Sequence, residues 1–390
     1  IYMYYGNPSA SSPGYSVEDV FTLIGESGKV DIDETGGTVY FSGTYDSPPL
    51  IFATIDTFNG GDTVVSRVTE RTPTYFNIRL EEYPSDDGSH VYETVGWIAL
   101  KPGVWVVGGK IWEVGEVSVN NVWTSVSFSY AFSAEPAIMT YINTYNEGGF
   151  SGQPDAGAHT RQDNPSTTGF DVKIEEETDT SHTYETVGYL AVETGTGTTV
   201  NSIGFEASTV SNVRHIWKSY FFSYSFSNTP VVVFKVETEN EGDNCHERLE
   251  VSSIFFFWYA LQETPIYDGK HKKEKGGFIA VEPGLIYGYE YVSPYPSVNV
   301  GDEEIFSYLS EAEVAFTELP SDAIVLDIST ILMCNITGTG RLKLYDYTSY
   351  EWSVILEESY ISPGSEEEYS VSVSAGTYTV SYTHLTLPTN

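Results

Sequence analysis

The chain carries three copies of one segment, and this internal repetition limits its possible folds more than any other feature. The copies align on Pro49, Pro136 and Pro230, so successive copies are 87 and 94 residues apart. Each copy has, in the same order, a phenylalanine eight residues before the proline, an arginine, a phenylalanine nine residues after that arginine, an Asp-x-x-His-x-x-Glu motif and a closing Gly-aromatic-aliphatic-Ala. A repeat of this length predicts a series of similar folded units rather than one continuous domain.

Alternation within each copy predicts β-strands. In the second copy Val126, Phe128, Tyr130 and Phe132 alternate with Ser or Ala, and residues 220–226 have the same aromatic spacing in the third. A period of two is typical of a half-buried strand, so these aromatic side chains are expected in the core rather than as stacking platforms for sugars. No stretch of useful length has helical periodicity. The predicted fold class is all-β, with three tandem antiparallel six-stranded β-sandwiches and a partial C-terminal β-sandwich.

The landmarks also divide the chain into segments. The repeats occupy residues 26–104, 113–196 and 203–288, and a truncated β-sandwich without the landmarks occupies residues 294–379. Residues 1–20 are expected to be the tail of a missing upstream domain, because Tyr4-Tyr5-Gly6-Asn7 resembles the last strand of an extracellular concanavalin-like domain. Residues 380–390 are expected to be an artefact, because their sequence resembles a translated sequencing adapter.

Charge and composition exclude several classes of protein. The chain has 55 acidic and 18 basic residues and a net charge of −37, so a basic face for nucleic acid or an anionic membrane is not expected. The longest apolar run, from Ile254 to Leu261, has eight residues, whereas a membrane-spanning helix needs about 20. The two cysteines, Cys245 and Cys334, lie in different segments and predict neither a disulfide framework nor a zinc cluster.

Catalysis is not predicted. The chain has no Gly-x-Ser-x-Gly elbow, no His-Glu-x-x-His motif, no phosphate-binding loop and no dinucleotide fingerprint. Carboxylates are plentiful, but they recur in copies that are too small to hold a substrate cleft alone. A small repeated unit suits multivalent binding, in which linked weak sites add avidity.

The repeat resembles the H-type lectin domain, a six-stranded antiparallel sandwich found in snail agglutinins and slime-mould discoidins. In the first copy the resemblance is carried by Ser27-Gly-Lys-Val-Asp31, Phe41, Pro48-Pro49, Ile55, Arg67, Phe76 and Trp97-Ile-Ala99. The resemblance implies that the arginine lies at a subunit boundary and helps to form a pocket for N-acetylgalactosamine-type sugars. This chain departs from the agglutinins in two places. Only Glu34-Thr-Gly-Gly37 stands where they have a long loop with a sugar-binding Asp, and the last hairpin carries Asp-x-x-His-x-x-Glu instead of an aromatic-His pair.

The candidate carbohydrate-binding residues are the arginine and the hairpin Asp and His of each copy. They are Arg67, Arg161, Arg248, Asp87, His90, Asp179, His182, Asp268 and His271. Each guanidinium has several donors for a sugar, but an ion pair with an acid of the same repeat is the alternative. The hairpin motif favours a turn in which Asp caps, His packs and Glu pairs with a cation; a sugar contact or a metal site is the alternative. No metal or cofactor is predicted, and calcium is the ion that the carboxylates would suit.

The hypothesis from sequence is an extracellular, non-enzymatic adhesion protein that binds glycans or neighbouring surface proteins. One alternative is a structural module of a cell-surface, filament or virion protein that binds no small ligand, and another is an ancillary domain of an upstream enzyme. The lysine-rich segment 270–275 is expected to be an exposed hairpin tip suited to an acidic neighbour. The segments 101–113 and 194–205 are expected to be linkers between the repeats. The repeats either close into a pseudo-trimer, as the threefold assemblies of H-type lectins suggest, or form a linear array, which the divergence of the third copy favours.

Deleting residues 380–390 is expected to leave the melting temperature of the preceding domains unchanged, because an artefactual tail has no packing role. Thermal unfolding followed by circular dichroism compares the full chain with the truncated one. A clear loss of stability would show that the tail is native.

Overall fold

The computed structural model describes residues 21–147, 157–177 and 181–291 with their side chains, and the backbone of six strands between residues 311 and 386. The chain forms two compact units, Ile1–Tyr291 and Val292–Asn390. Every described element is a β-strand and every described strand pair is antiparallel, so the all-β prediction is confirmed. The search for a helix that is long and apolar enough to cross a membrane finds none in the described part of the chain.

Each repeat contains six strands in two sheets that pack face to face. In repeat 1 the strands are β1 Thr22–Ile32, β2 Gly37–Tyr40, β3 Leu50–Ile55, β4 Val64–Arg71, β5 Tyr75–Glu82 and β6 Glu93–Leu100. They form an inner sheet with the order β1-β6-β3 and an outer sheet with the order β2-β5-β4. Ile51 of the inner sheet and Val68 and Phe76 of the outer sheet are fully buried between them.

Repeats 2 and 3 have the same topology. After β7 Gly103–Val107, repeat 2 comprises β8 Lys110–Val119, β9 Thr124–Ser127, β10 Ala137–Ile142, β11 Ala158–Asp163, β12 Gly169–Glu176 and β13 Glu185–Val192. After β14 Gly195–Thr198, repeat 3 comprises β15 Gly204–Val213, β16 Lys218–Phe221, β17 Val231–Val236, β18 Cys245–Glu250, β19 Phe256–Glu263 and β20 Glu274–Val281, and β21 Gly284–Glu290 follows. The inner sheets contain β8-β13-β10 and β15-β20-β17, and the outer sheets are β9-β12-β11 and β16-β19-β18.

The connecting strands close the three repeats into a ring. β7 pairs with β8, the first strand of repeat 2, and β14 pairs with β15, the first strand of repeat 3. β21, which follows repeat 3, pairs with β1, the first strand of repeat 1. The first strand of every repeat therefore has an equivalent partner, and the last connecting strand returns the chain to its beginning.

The largest hydrophobic core lies between the repeats rather than inside one of them. Phe52, Trp112 and Phe205 come from the three different repeats and are all fully buried in it. Trp112 and Phe205 pack edge to face, with ring centroids 5.1 Å apart. Each inner sheet thus has one face in its own sandwich and the other in the shared core. This double burial explains why all six residues of Leu50–Ile55 are apolar or small and buried.

Two expectations from sequence are wrong. The linear array is wrong because β21 pairs with β1. The segments 101–113 and 194–205, expected to be linkers, instead contain β7 and β14 and the starts of the strands that pair with them. A first strand with an open edge is a template for pairing, and the connecting strand occupies that edge.

The aromatic strand of each repeat is shorter than its alternation predicts. β9 ends at Ser127, and the Glu113 carboxylate then accepts hydrogen bonds from the backbone N–H groups of Ser129 and Tyr130, at 2.7 and 2.8 Å. The aromatic residues still pack as expected at Phe132, which is buried. Glu26 and Glu206 hold the equivalent turns of repeats 1 and 3.

The second unit is described by its backbone strands alone. They are β22 Glu311–Ala315, β23 Val325–Met333, β24 Gly338–Asp346, β25 Glu351–Ile361, β26 Glu366–Ser374 and β27 Val380–Thr386. β27 begins the segment that resembles an adapter, and it pairs with β22 and β24. The expected upstream domain tail, residues 1–20, lies outside the described residues.

Replacing Trp112 with Ala is expected to destabilise all three repeats together by about 3–5 kcal/mol, because it leaves a cavity in the shared core. Chemical unfolding of the full chain, followed by tryptophan fluorescence and far-ultraviolet circular dichroism, measures the change. Tyr40→Ala is the control, since Tyr40 is 73% exposed. If the variant unfolds repeat 2 in a separate step and leaves the other two repeats folded, the shared core does not couple them.

Candidate site at the seams between repeats

Each candidate arginine reaches into the next repeat around the ring. We call the contact surfaces seam 1/2, seam 2/3 and seam 3/1 after the repeats they join. At each seam the arginine lies within ion-pair distance of the glutamate that ends the next repeat's hairpin motif. The pairs are Arg67 Nη2 to Glu185 Oε1 at 3.6 Å, Arg161 Nη2 to Glu274 Oε1 at 3.3 Å, and Arg248 Nη2 to Glu93 Oε1 at 3.4 Å.

The guanidinium groups are buried in these contacts. Arg248 is 1% exposed, donates hydrogen bonds to the carbonyls of Gly60 and Asp62, and lies 4.3 Å from the centroid of the Phe58 ring. Arg67 and Arg161 are equally buried. Burial of a charge is costly without a close counter-charge, so each arginine is held beside the glutamate of the next repeat. Arg67 also lies 3.6 Å from Glu81 of its own repeat.

The glutamate of each seam also organises a loop of its own repeat. Glu93 is the first residue of β6, and its carboxylate accepts hydrogen bonds from Thr57 Oγ1 at 2.5 Å and from the backbone N–H of Asn59 and Gly60. The Asn59 side chain donates to the Tyr92 carbonyl at 2.8 Å. In residues 144–147 and 238–241 the threonine hydroxyl and the asparagine backbone N–H donate equivalent hydrogen bonds to Glu185 and Glu274. We call the segments 57–60, 144–147 and 238–241 the seam loops.

The hairpin histidines bridge two carboxylates within one repeat. His90 Nδ1 lies 2.8 Å from Glu82 Oε1, and His90 Nε2 lies 3.3 Å from Glu93 Oε1. Burial opposes the charged ring, but hydrogen bonds to Glu93 and Glu82 outweigh it and raise the pKa of His90. Against the effect of burial, hydrogen bonds to Glu176 and Glu185 raise the pKa of His182 to about 9, and those to Cys245 and Glu274 raise the pKa of His271 to about 10. These rings therefore stabilise the fold below the ordinary histidine pKa, and the contribution is lost as the pH rises through 9 to 10.

The structure brings each predicted arginine to a predicted histidine, but across a seam. Arg161 Nη2 lies 3.4 Å from His271 Nε2 of the next repeat. The predicted aspartates are at the hairpin turns, where Asp87 is exposed and accepts a hydrogen bond from Ser89 N at 3.0 Å. Asp268 accepts the equivalent bond from Lys270 N, whereas Asp179 lies outside the described residues. The carbohydrate-binding role of this set stays a prediction.

Two hairpins contain a donor set that suits a metal ion. Asp62, Glu82 and His90 each place one ligand atom within 4.8 Å of the others, and so do Glu241, Glu263 and His271. Each histidine already has a close hydrogen bond from Nδ1 to its glutamate, which requires a proton on that nitrogen. A bound metal would displace that proton, so the residues fit an ion pair better than a metal centre.

A second layer of polar contacts lies deeper in each seam. Asn143 Oδ1 accepts a hydrogen bond from Ile51 N at 2.7 Å, and its Nδ2 donates to the Ile51 carbonyl at 3.0 Å. Equivalent acids replace this amide in the other repeats: Glu237 accepts from Ile138 N at 2.7 Å, and Asp56 faces Val232 N. Burial raises the pKa of Asp56 to about 7 and that of Glu237 to about 8, although Lys29 Nζ lies 2.9 Å from Asp56 and Lys275 Nζ lies 3.5 Å from Glu237 Oε2.

A small cavity lies where the three repeats meet. Its volume is about 50 Å³, and its lining includes Thr54, Tyr141 and Lys235 from equivalent positions of the three repeats. This volume holds a few water molecules and not a sugar ring. The cavity is therefore part of the interface and not a glycan site.

Two exposed tryptophans that were not among the predicted site residues lie beside the seams. Trp123 lies five residues before Phe128 and Trp217 lies five residues before Phe222, the phenylalanine that precedes the aligned proline of each repeat. They are 38% and 37% exposed. Trp217 packs on Phe58 of the seam 3/1 loop, with ring centroids 5.4 Å apart. At seam 2/3 Lys173 Nζ lies 4.7 Å from the Trp123 ring centroid and 3.0 Å from Glu239 of the seam loop. Their equal spacing from the landmark was a signal that could have identified them.

Comparison with known proteins gives one similarity. The chain is 25% identical over 285 residues to halomucin of Haloquadratum walsbyi. The aligned region covers 69% of this chain and 3% of halomucin. No protein-family model matches the chain, and no solved structure matches it. The similarity is consistent with a cell-surface or extracellular protein, which is the coarser part of the expectation from sequence.

Replacing Glu237 with Gln is expected to stabilise the ring increasingly as the pH rises from 5 to 9. The folded-state pKa of Glu237 is about 8, above its ordinary value, so the wild type loses stability as the pH rises toward 8 and a buried charge forms. The amide of Asn143 already serves at the equivalent position. The gain should reach about 1–3 kcal/mol at pH 9.

Urea unfolding at pH 5, 7 and 9 measures this difference, with Glu290→Gln as a control at an exposed glutamate. A difference between variant and wild type that does not change with pH would contradict the burial of a titrating carboxylate at this seam.

Proposed function

We propose that this chain is a non-enzymatic, lectin-like module of a surface or extracellular protein, and that it binds carbohydrate beside its seams. The observation that carries the proposal is the exposed tryptophan at the same position of repeats 2 and 3, next to the seam loop of the following repeat. Tryptophan is a rigid amphipathic surface, and its exposure beside a polar loop is typical of a binding site.

The seam loops supply the polar groups that a sugar needs. Asn59, Asn146 and Asn240 are the exposed tips of the three loops, and each donates its amide N–H to a hairpin carbonyl. No hydrogen bond of the described residues uses the three amide oxygens, so they remain as acceptors. Sugar hydroxyls both donate and accept hydrogen bonds, so an aromatic face beside an ordered amide provides the two kinds of contact that fix a sugar ring.

In this proposal the buried arginines are positioning residues rather than ligand contacts. Each arginine holds the glutamate that organises a seam loop, so it determines where the loop tip stands relative to the neighbouring tryptophan. The closed ring also holds two such sites on one rigid body. Two linked weak sites bind a multivalent glycan surface much more tightly than either site alone.

The similarity to halomucin supports the surface assignment, and the ring itself favours a second candidate. Buried ion pairs and a shared core join the repeats, as expected of a structural module that binds no small ligand. The two candidates differ in whether Trp123 and Trp217 have a ligand.

A glycan array probed with the full chain is expected to show binding that the double variant Trp123→Ala/Trp217→Ala reduces by at least about tenfold, the loss of roughly 1.4 kcal/mol. Tyr40→Ala is the matched control, because Tyr40 is an exposed aromatic of repeat 1. Circular dichroism confirms that each variant is folded. A folded wild-type chain that binds no glycan would favour the structural module and contradict the proposal.

A further inference from the structure

Repeat 3 differs from the other repeats in the charge of two loops. Five positions in it are cationic: Arg214, Lys218, Lys270, Lys272 and Lys273. The equivalent positions of repeats 1 and 2 are acidic or neutral. They are counted from the phenylalanine eight residues before the aligned proline and from the hairpin histidine. They are Asp33, Gly37, Ser89, Val91 and Tyr92 in repeat 1, and Asn120, Thr124, Ser181, Thr183 and Tyr184 in repeat 2. The cations are thus a property of repeat 3 and not of the fold.

The two cationic loops lie against each other. The first, residues 214–218, precedes and enters β16, and the second, residues 270–273, leads to β20. The Arg214 carbonyl accepts a hydrogen bond from Leu261 N at 3.0 Å. His215 Nδ1 lies 3.1 Å from the His271 carbonyl, which joins the first loop to the hairpin. We call the combined surface the cationic face of repeat 3.

Most of this positive charge has no counter-charge among the residues described with side chains. Lys272 pairs with Glu241 at 3.3 Å. In that part of the chain the other four cations, Arg214, Lys218, Lys270 and Lys273, form no ion pair with a carboxylate. Lys218 Nζ donates to the Asn212 carbonyl at 2.8 Å, and after partial burial the nearby charges of Arg214 and Lys273 lower its pKa. Four such cations on one face of a chain of net charge −37 favour an anionic ligand.

Aromatic side chains continue from this face along the outer sheet of repeat 3. Trp217 lies between Arg214 and Lys218 in the chain and contacts Phe58. Trp258 is 39% exposed and Phe221 68% exposed, and each lies within 6.1 Å, between ring centroids, of Phe256. The positions equivalent to Trp258 carry Asn77 in repeat 1 and Asp171 in repeat 2. This row is longer than one sugar ring needs and suits several units of a polymer.

We propose that the cationic face of repeat 3, with Trp217 and Phe58 at seam 3/1, binds an anionic polysaccharide. The inference rests on the proposed carbohydrate function and adds the charge class of the ligand and its location. Carboxylates or sulfates of the polymer pair with Arg214, Lys218 and Lys273, while the apolar faces of its rings pack on the aromatic row. The second cationic loop also borders seam 2/3, where the Lys273 carbonyl accepts a hydrogen bond from Asn240 of the seam loop at 2.9 Å.

Charge density favours a polysaccharide over a nucleic acid. A nucleic acid carries one charge per 1.7 Å of duplex and would meet repulsion from the rest of this acidic chain. A uronate polymer carries one charge per sugar, which a few local cations match. The acidic surface of a second copy of this chain is the competing partner, but it offers no flat rings for the aromatic row.

Binding of the full chain to immobilised polygalacturonate is the test, with dextran as the neutral polymer. Lys218→Gln/Lys273→Gln is expected to weaken polygalacturonate binding by at least about tenfold and to leave neutral-sugar binding unchanged, because it removes two unpaired charges and no aromatic surface. Lys110→Gln is the matched control, a partly exposed lysine of repeat 2. Raising the salt from 0.15 M to about 0.5 M should weaken binding of the wild type by screening these contacts.

The outcomes separate the inference from the proposed function. Glycan binding through Trp123 and Trp217 without a preference for acidic polymers would overturn the inference and leave the proposed function standing. No binding to any glycan would overturn both. Self-association in sedimentation experiments that Lys218→Gln/Lys273→Gln abolishes, without polygalacturonate binding, would overturn the choice of a polysaccharide.

Discussion

Three buried arginine–glutamate pairs, one at each seam, are the contacts on which the arrangement of the repeats depends. A guanidinium that is 1–2% exposed needs a carboxylate at close range, and each repeat provides one for its predecessor in the ring. Arg161 and Arg248 also donate hydrogen bonds to carbonyls of the next repeat. The same glutamates anchor the seam loops. Closure of the ring and positioning of the exposed loops therefore rest on one set of residues, and the pairing of β21 with β1 completes the closure.

Polar residues lie at two depths in each seam, and the charge of these residues differs between the outer and the inner layer. The outer layer is ionic, with histidines whose raised pKa values keep them charged beside carboxylates. In the inner layer burial raises the pKa values of Asp56 and Glu237, and repeat 2 has an amide at the same place. A buried carboxylate costs stability when it ionises, so this layer destabilises the ring as the pH rises through 7 to 8.

The three repeats have the same fold but different exposed side chains, and the proposed ligand contacts follow from these differences. The three repeats share their strands, seam loops and buried pairs, but exposed tryptophans occur in two of them and the unpaired cations in one. A covalent ring allows such divergence, because each copy is free to change its outer face while the shared core and seams keep its position. A symmetric homotrimer would have to repeat every surface change three times.

The sequence by itself determined the all-β class, the number of repeats and the arginine and hairpin residues that recur in each copy, because strand alternation and landmark spacing are local properties. The hairpin motif also predicted a cation as the partner of Glu93. Only the tertiary structure decided that the partner is Arg248 of another repeat, and that the chain closes rather than extends. Those contacts join residues distant in the chain, and their geometry depends on how three sheets pack around one core, which no local pattern encodes.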